Sequence, residues 1–192
     1  MIKIEKNIQA LIFDCDGTLV DSMPLHFEAW RETFKKFGRS YPHDFVNARK
    51  GMRVADVVRE YNRHYNDHLN VLRFTAIKEE IALKRLQTVK PIEPVAEVVR
   101  HHAGILPMAV CSGSPEKSVR ISLQAVGLAG LFKVILTADD GLAPKPAPDM
   151  FLEAARCLNV VPERCQVFED GDYGIEAAEK AGMIVTDIRK YI

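Results

Sequence analysis

The apolar positions of this chain change rhythm along its length. Gln9 to Asp14 hold a short apolar run, Ala-Leu-Ile-Phe, that ends on a carboxylate and is followed by Gly17-Thr18. A short continuous run bounded by turn residues predicts a buried parallel strand. From Pro24 to Phe37 the pattern differs, with Phe27, Trp30, Phe34 and Phe37 recurring three or four residues apart. That is helix period, with Pro24 suited to a first turn and Gly38 to the stop. Val54, Val57, Val58, Tyr61 and Tyr65 repeat it, and Ile77, Ile81 and Leu86 predict a third helix. Residues 20–88 therefore read as an all-helical block.

Beyond it, short apolar runs alternate with helical patterns. Strands are predicted over Leu106–Cys111, Lys133–Ala138, Cys165–Phe168 and Ile184–Ile188. Between them lie a helix with Val119, Leu123 and Val126 stopped by Gly127, one over about Asp149–Leu158, and one over Ile175–Ala181 stopped by Gly182. Strand and helix in alternation imply parallel βαβ units with right-handed crossovers. The predicted class is α/β: a core of residues 1–19 and 89–192, interrupted after its first strand by the helical domain 20–88, with crossings near Val20 and Lys90.

Composition narrows the function classes. Across 192 residues, 26 Lys+Arg balance 26 Asp+Glu, which gives no general polyanion-binding surface. Neither nucleic acid nor a membrane surface is an expected partner. No apolar run nears the roughly 20 residues of a membrane helix, and the N-terminus does not read as a signal peptide. The cysteines, Cys15, Cys111, Cys157 and Cys165, lack CxxC spacing, so reduced thiols in a cytoplasmic protein are expected. His101-His102 reads as surface, and the absence of an apolar seam points to a monomer.

Candidate chemistry sits at the ends of the predicted strands, which a parallel sheet gathers on one edge. Asp14-Cys15-Asp16-Gly17-Thr18 places two carboxylates on one side of an extended segment and Cys15 on the other. Two such close carboxylates call for a hard divalent cation, although Asp-Gly-Thr is also good turn chemistry. Ser112-Gly113-Ser114-Pro115 before a helix could bind an anion, or could be a plain N-cap at Ser114. Glu169-Asp170-Gly171-Asp172 is acidic enough for a metal, or could favour a helix dipole. Pro144, Pro146 and Pro148 stiffen the loop around Lys145. A lysine so held suits a phosphate, and a solvated loop lysine is the alternative.

In this order, Asp14-x-Asp16-Gly17-Thr18, Ser112, Lys145-Pro146 and Glu169-Asp170 resemble the haloacid dehalogenase-like superfamily. Lys145-Pro-Ala-Pro-Asp149 and Glu169-Asp170…Gly174-Ile175…Ala177-Ala178…Ala181-Gly182-Met183 are similar to its branch of β-phosphoglucomutases and small sugar-phosphate phosphatases. The resemblance spans about Ala10 to Asp187 and implies a Rossmann-like core with a helical cap. It implies Asp14 as nucleophile on phosphorus and Asp16 as acid and then base, with a raised pKa. It implies Mg²⁺ held by Asp14, the Asp16 backbone carbonyl and Asp170, with Glu169 near, and a phosphoryl cradle of Ser112, Gly113 and Lys145. The implied substrate is a small phosphorylated metabolite.

Substrate choice would lie in the cap, at His26 and at Lys50-Gly51-Met52-Arg53. His26, one turn from Trp30, could equally be a surface residue. The mutase pattern places an arginine three residues after the glycine, whereas Arg53 follows Gly51 by two. Lys84 could match a mutase lysine or sit on a solvated helix face. Gly171 and Pro144 also depart from common residues of the pattern. The compact chain is more similar to short phosphatases, including fructose-1-phosphate phosphatases, than to hexose phosphate mutases.

Overall fold

The computed structural model describes residues 2–49 and 52–192. Among the described residues, five parallel strands form one sheet in the order β3-β2-β1-β4-β5: β1 (Ala10–Phe13), β2 (Met108–Cys111), β3 (Val134–Leu136), β4 (Cys165–Glu169) and β5 (Ile184–Asp187). This is the predicted α/β architecture. β1 sits at the centre, flanked by β2 and β4, so the ends of these three strands converge.

The apolar run of β1 is continuous because both faces of the sheet are covered. Leu11 and Phe13 belong to one buried cluster, with Val95 and Val99 of α5 (Glu93–His102) and Val119 and Leu123 of α6 (Glu116–Ala125). Ala10 and Ile12 belong to the other, with Phe151 and Ala154 of α7 (Asp149–Leu158) and Ala177 and Ala178 of α8 (Asp172–Lys180). Period-two alternation thus divides the strand between two cores. Phe13 stacks on Phe168 at 4.6 Å across the β1–β4 pair.

Between β1 and α5 run α1 (Met23–Lys36), the short α2 (His43–Asn47), α3 (Val54–Tyr65) and α4 (Val71–Leu86). Trp30, Phe34, Val57, Val58, Tyr61 and Phe74 bury their own aromatic cluster there. The two chain crossings pair with each other: Asp21 N donates to Lys90 O at 2.8 Å and Ile92 N to Leu19 O at 3.0 Å. α4 also packs on α6, so the helical block rests on the α/β layer. Among the described residues, no helix is long and apolar enough to cross a membrane. The four cysteines are free thiols, three of them buried.

Candidate active site

Asp14 lies one residue past β1, its N–H donating to Phe168 O at 3.0 Å, so the sheet ladder fixes its backbone. Its Oδ1 accepts from Lys145 Nζ at 2.7 Å. The same ammonium donates to Glu169 Oε2 at 2.6 Å and to Cys111 O at 3.1 Å. Lys145 is 2 % exposed, which excludes a solvated loop lysine. Burial alone would lower its pKa, but Asp14 and Glu169 outweigh burial and hold the ammonium charged well above its ordinary range. Asp14 goes the other way. Burial, then repulsion from Glu169, raise its pKa well above the carboxylate norm, and Lys145 offsets only part of this.

Asp14, Glu169 and Asp170 each bring one carboxylate oxygen within 4.8 Å of the others, all three buried. Crowded hard oxygen donors of this kind fit a divalent cation such as Mg²⁺. Glu169 is already committed: Oε1 accepts from the N–H groups of Asp170 and Gly171, each at 3.0 Å, and Oε2 from Lys145. Asp170 accepts from Thr18 Oγ1 at 3.1 Å. Gly17 has φ +91°, and a Cβ there would stand 2.6 Å from Asp170 Oδ2, so backbone conformation and close approach both require glycine. The side chain of Asp16 is not in this group, and Asp172 points away to an ion pair with Arg189 at 2.7 Å.

Asp16 has its own set of donors. Ser22 Oγ reaches Oδ1 at 2.6 Å, His26 Nε2 reaches Oδ1 at 3.0 Å, and Ser114 Oγ reaches Oδ2 at 2.6 Å. Burial alone would raise its pKa, but the His26 interaction, then Ser114 and Ser22, hold it well below the carboxylate norm. The raised pKa implied by the family resemblance is therefore not found in this arrangement. Burial is what would raise it, and three donors outweigh burial.

Both aspartates line one cavity of about 70 Å³. Its α/β side also carries Ser112, Gly113 and Ser114; its helical side carries Met23, His26, Phe27, Trp30, Val46, Arg49, Met52, Val54, Val57 and Lys78.

The match to the haloacid dehalogenase-like hydrolase model runs over residues 8–182. The chain belongs to the haloacid dehalogenase-like hydrolases. It is 38% identical to the fructose-1-phosphate phosphatase YqaB of Escherichia coli (strain K12), over 93% of this chain and 95% of that one. It is 28% identical to a phosphorylated carbohydrates phosphatase of Thermotoga maritima, over 92% and 82% of the two chains. The crystal structure of β-phosphoglucomutase from Clostridium difficile superposes with a TM-score of 0.84 at 24% identity, covering 93% of this chain and 83% of that one, a likeness of fold.

Against this hydrolase fold, the sequence expectations divide clearly. Asp14, Asp16, Ser112, Gly113, Lys145, Glu169 and Asp170 come together at the carboxyl edge of the sheet. Ser114 is not an N-cap: Pro115 occupies that position, and the Ser114 hydroxyl is turned to Asp16. The N-terminus of α6 is instead closed by Asp139, whose Oδ2 accepts from Glu116 N at 2.9 Å. His26 is 4 % exposed, and the reading of a surface histidine fails. Lys84 is exposed and pairs with Glu80 at 2.7 Å. Arg53, expected at the substrate, does not line the cavity, and its Nη2 donates to Leu142 O. Lys50 and Gly51 lie outside the described residues.

Sequence reasoning missed Lys78, which is 3 % exposed and holds His26 Nδ1 at 3.0 Å. Its signal is positional: it lies one turn from both Phe74 and Ala82, inside the apolar stripe of α4. An ammonium only donates, so Nδ1 accepts from it and the imidazole proton resides on Nε2, facing Asp16.

Proposed function

We propose that this hydrolase is a Mg²⁺-dependent phosphatase of a small phosphorylated sugar or similar metabolite, acting through an aspartyl-phosphate. The observation that carries this reading is the buried Asp14–Lys145 contact of 2.7 Å, beside Asp16 in one cavity. The relatives named as sugar-phosphate phosphatases support the same reading.

Asp14 is the nucleophile: its carboxylate bonds to phosphorus as the ester oxygen leaves. Lys145, Ser112 and the Gly113 backbone orient the phosphoryl group, whose charge is spread over three oxygens. Asp14, Asp170 and the Asp16 backbone carbonyl would hold Mg²⁺, with Glu169 beside them; the cation would neutralise negative charge on the phosphoryl oxygens. Glu169 anchors Lys145. Asp16 protonates the leaving alcohol and then takes a proton from the attacking water. Its three donors set it as the proton acceptor in this arrangement, so its acid step requires one of them to give way to a proton. Residues 20–88 form the cap that covers the cavity, and the core is residues 1–19 and 89–192.

His26 positions Asp16. His26→Asn is expected to lower kcat about 100-fold with KM changed less than about threefold. Losing the His26 interaction raises the Asp16 pKa, so the acidic limb of the pH–rate profile moves to higher pH. A profile and kcat matching wild type would remove His26 from the account.

The reaction itself is tested by product analysis with Mg²⁺ and single hexose phosphates. Inorganic phosphate should form faster than any isomeric hexose phosphate. Isomer formation outpacing phosphate release would make the chain a phosphomutase.

A further inference from the structure

We infer that Arg53 is a positioning residue that fastens the helical cap to the loop carrying Lys145. This rests on the phosphatase reading above. Arg53 is the residue before α3, with an extended backbone at φ −64° and ψ 140°. Its neighbours Met52 and Val54 line the cavity, but Arg53 does not. Its Nη2 instead crosses to the α/β layer and donates to the carbonyl of Leu142, 89 residues away in sequence.

Leu142 begins the segment that delivers Lys145 to Asp14 and Glu169. Gly141, in the left-handed region at φ +72°, sets the turn before it. On the far side of Lys145 the same loop is held by Lys180, whose Nζ donates to Pro146 O at 3.3 Å. One tether therefore comes from the α/β layer and one from the cap. With Arg53 on Leu142, covering the cavity and holding the Lys145 loop become one event. A covered cavity also keeps bulk water away from the reacting phosphoryl group.

The contact is strong enough to matter and weak enough to release. A hydrogen bond from a guanidinium contributes more than a neutral one. Arg53 Nε, however, is buried without a partner, which costs the covered state part of that gain. Opening returns Nε to water. A group that must hold during chemistry and release afterwards fits this balance, and Arg53 has no need to touch substrate.

The test compares wild type, Arg53→Ala and Arg53→Lys in two measurements. One is Mg²⁺-dependent phosphate release from a sugar monophosphate. The other is acrylamide quenching of Trp30, the only tryptophan, which is 6 % exposed and lines the cavity on the cap side. Arg53→Ala should lower kcat about tenfold and leave KM within about twofold, the pattern of lost closure. The quenching constant of Trp30 should rise about twofold as the cap opens more often, and Arg53→Lys should recover part of both effects. If KM rises about tenfold at unchanged kcat, Arg53 binds substrate and the latch is overturned. Unchanged Trp30 quenching in Arg53→Ala overturns it as well, whatever the rates. Wild-type protein inactive on every phosphate ester would remove the phosphatase reading alone, and the Trp30 measurement would still decide the latch.

Discussion

Asp14→Asn should abolish phosphate release, by about 10⁴-fold or more, because the amide has no anionic oxygen to offer phosphorus. The loss should fall on chemistry and not on folding. Asp14 is 3 % exposed and crowded by Glu169 and Asp170, and its folded pKa lies well above its ordinary value. A carboxyl raised in this way costs the folded state stability once the pH exceeds its unfolded pKa. The neutral amide removes that cost, while Lys145 keeps its pairing with Glu169 at 2.6 Å. In EDTA at neutral pH, the thermal midpoint of Asp14→Asn should therefore equal or exceed that of wild type. Retained turnover would end the nucleophile assignment. A fall in the midpoint would contradict the electrostatic account of the cluster.

Lys145→Met should have the opposite signature, losing both activity and stability. The ammonium lies between Asp14 and Glu169, at 2.7 and 2.6 Å, with both partners almost wholly buried. Removing one member of such a buried group leaves uncompensated charge and costs about 3–5 kcal/mol. For a domain of this size that lowers the thermal midpoint by about 10 °C, read by calorimetry without metal. Phosphate release should fall about 1,000-fold, since a fixed cation at the transferring group is lost together with the anchoring of its loop. A variant as stable as wild type would show that the two carboxylates are neutral in the fold.

Strong single periods made most of this fold legible in the sequence. The β1 run and the aromatic spacing of α1 each fit one template, and most expected elements lie within a few residues of those observed. However, α4 starts at Val71, six residues before Ile77, and α5, Glu93–His102, is not among the expected elements. The short α2, His43–Asn47, has too few residues to show a period. At the site, spacing within a motif was legible and long-range partnership was not. Asp14, Asp16 and Lys145 stand out by their neighbours in sequence, but the destination of Lys145 between two carboxylates depends on β1, β4 and a loop meeting in space. Ser114 before Pro115 has good local capping chemistry, and the nearby Asp16 carboxylate outcompetes it. His26 and Lys78 sit 52 residues apart on two helices, so their contact is invisible to any local pattern. Arg53 was read by its distance from Gly51, whereas the structure turns its side chain to a backbone carbonyl that sequence cannot mark.

The Asp14 cavity is proposed to hydrolyse phosphate esters with a divalent cation. The most direct measurement is release of inorganic phosphate from a panel of sugar monophosphates, run with Mg²⁺, with excess EDTA, and with Asp14→Asn as control. Release is expected with Mg²⁺, with none in EDTA and none from the variant. Release that persists in EDTA, or no release from any ester with Mg²⁺, would contradict the proposal.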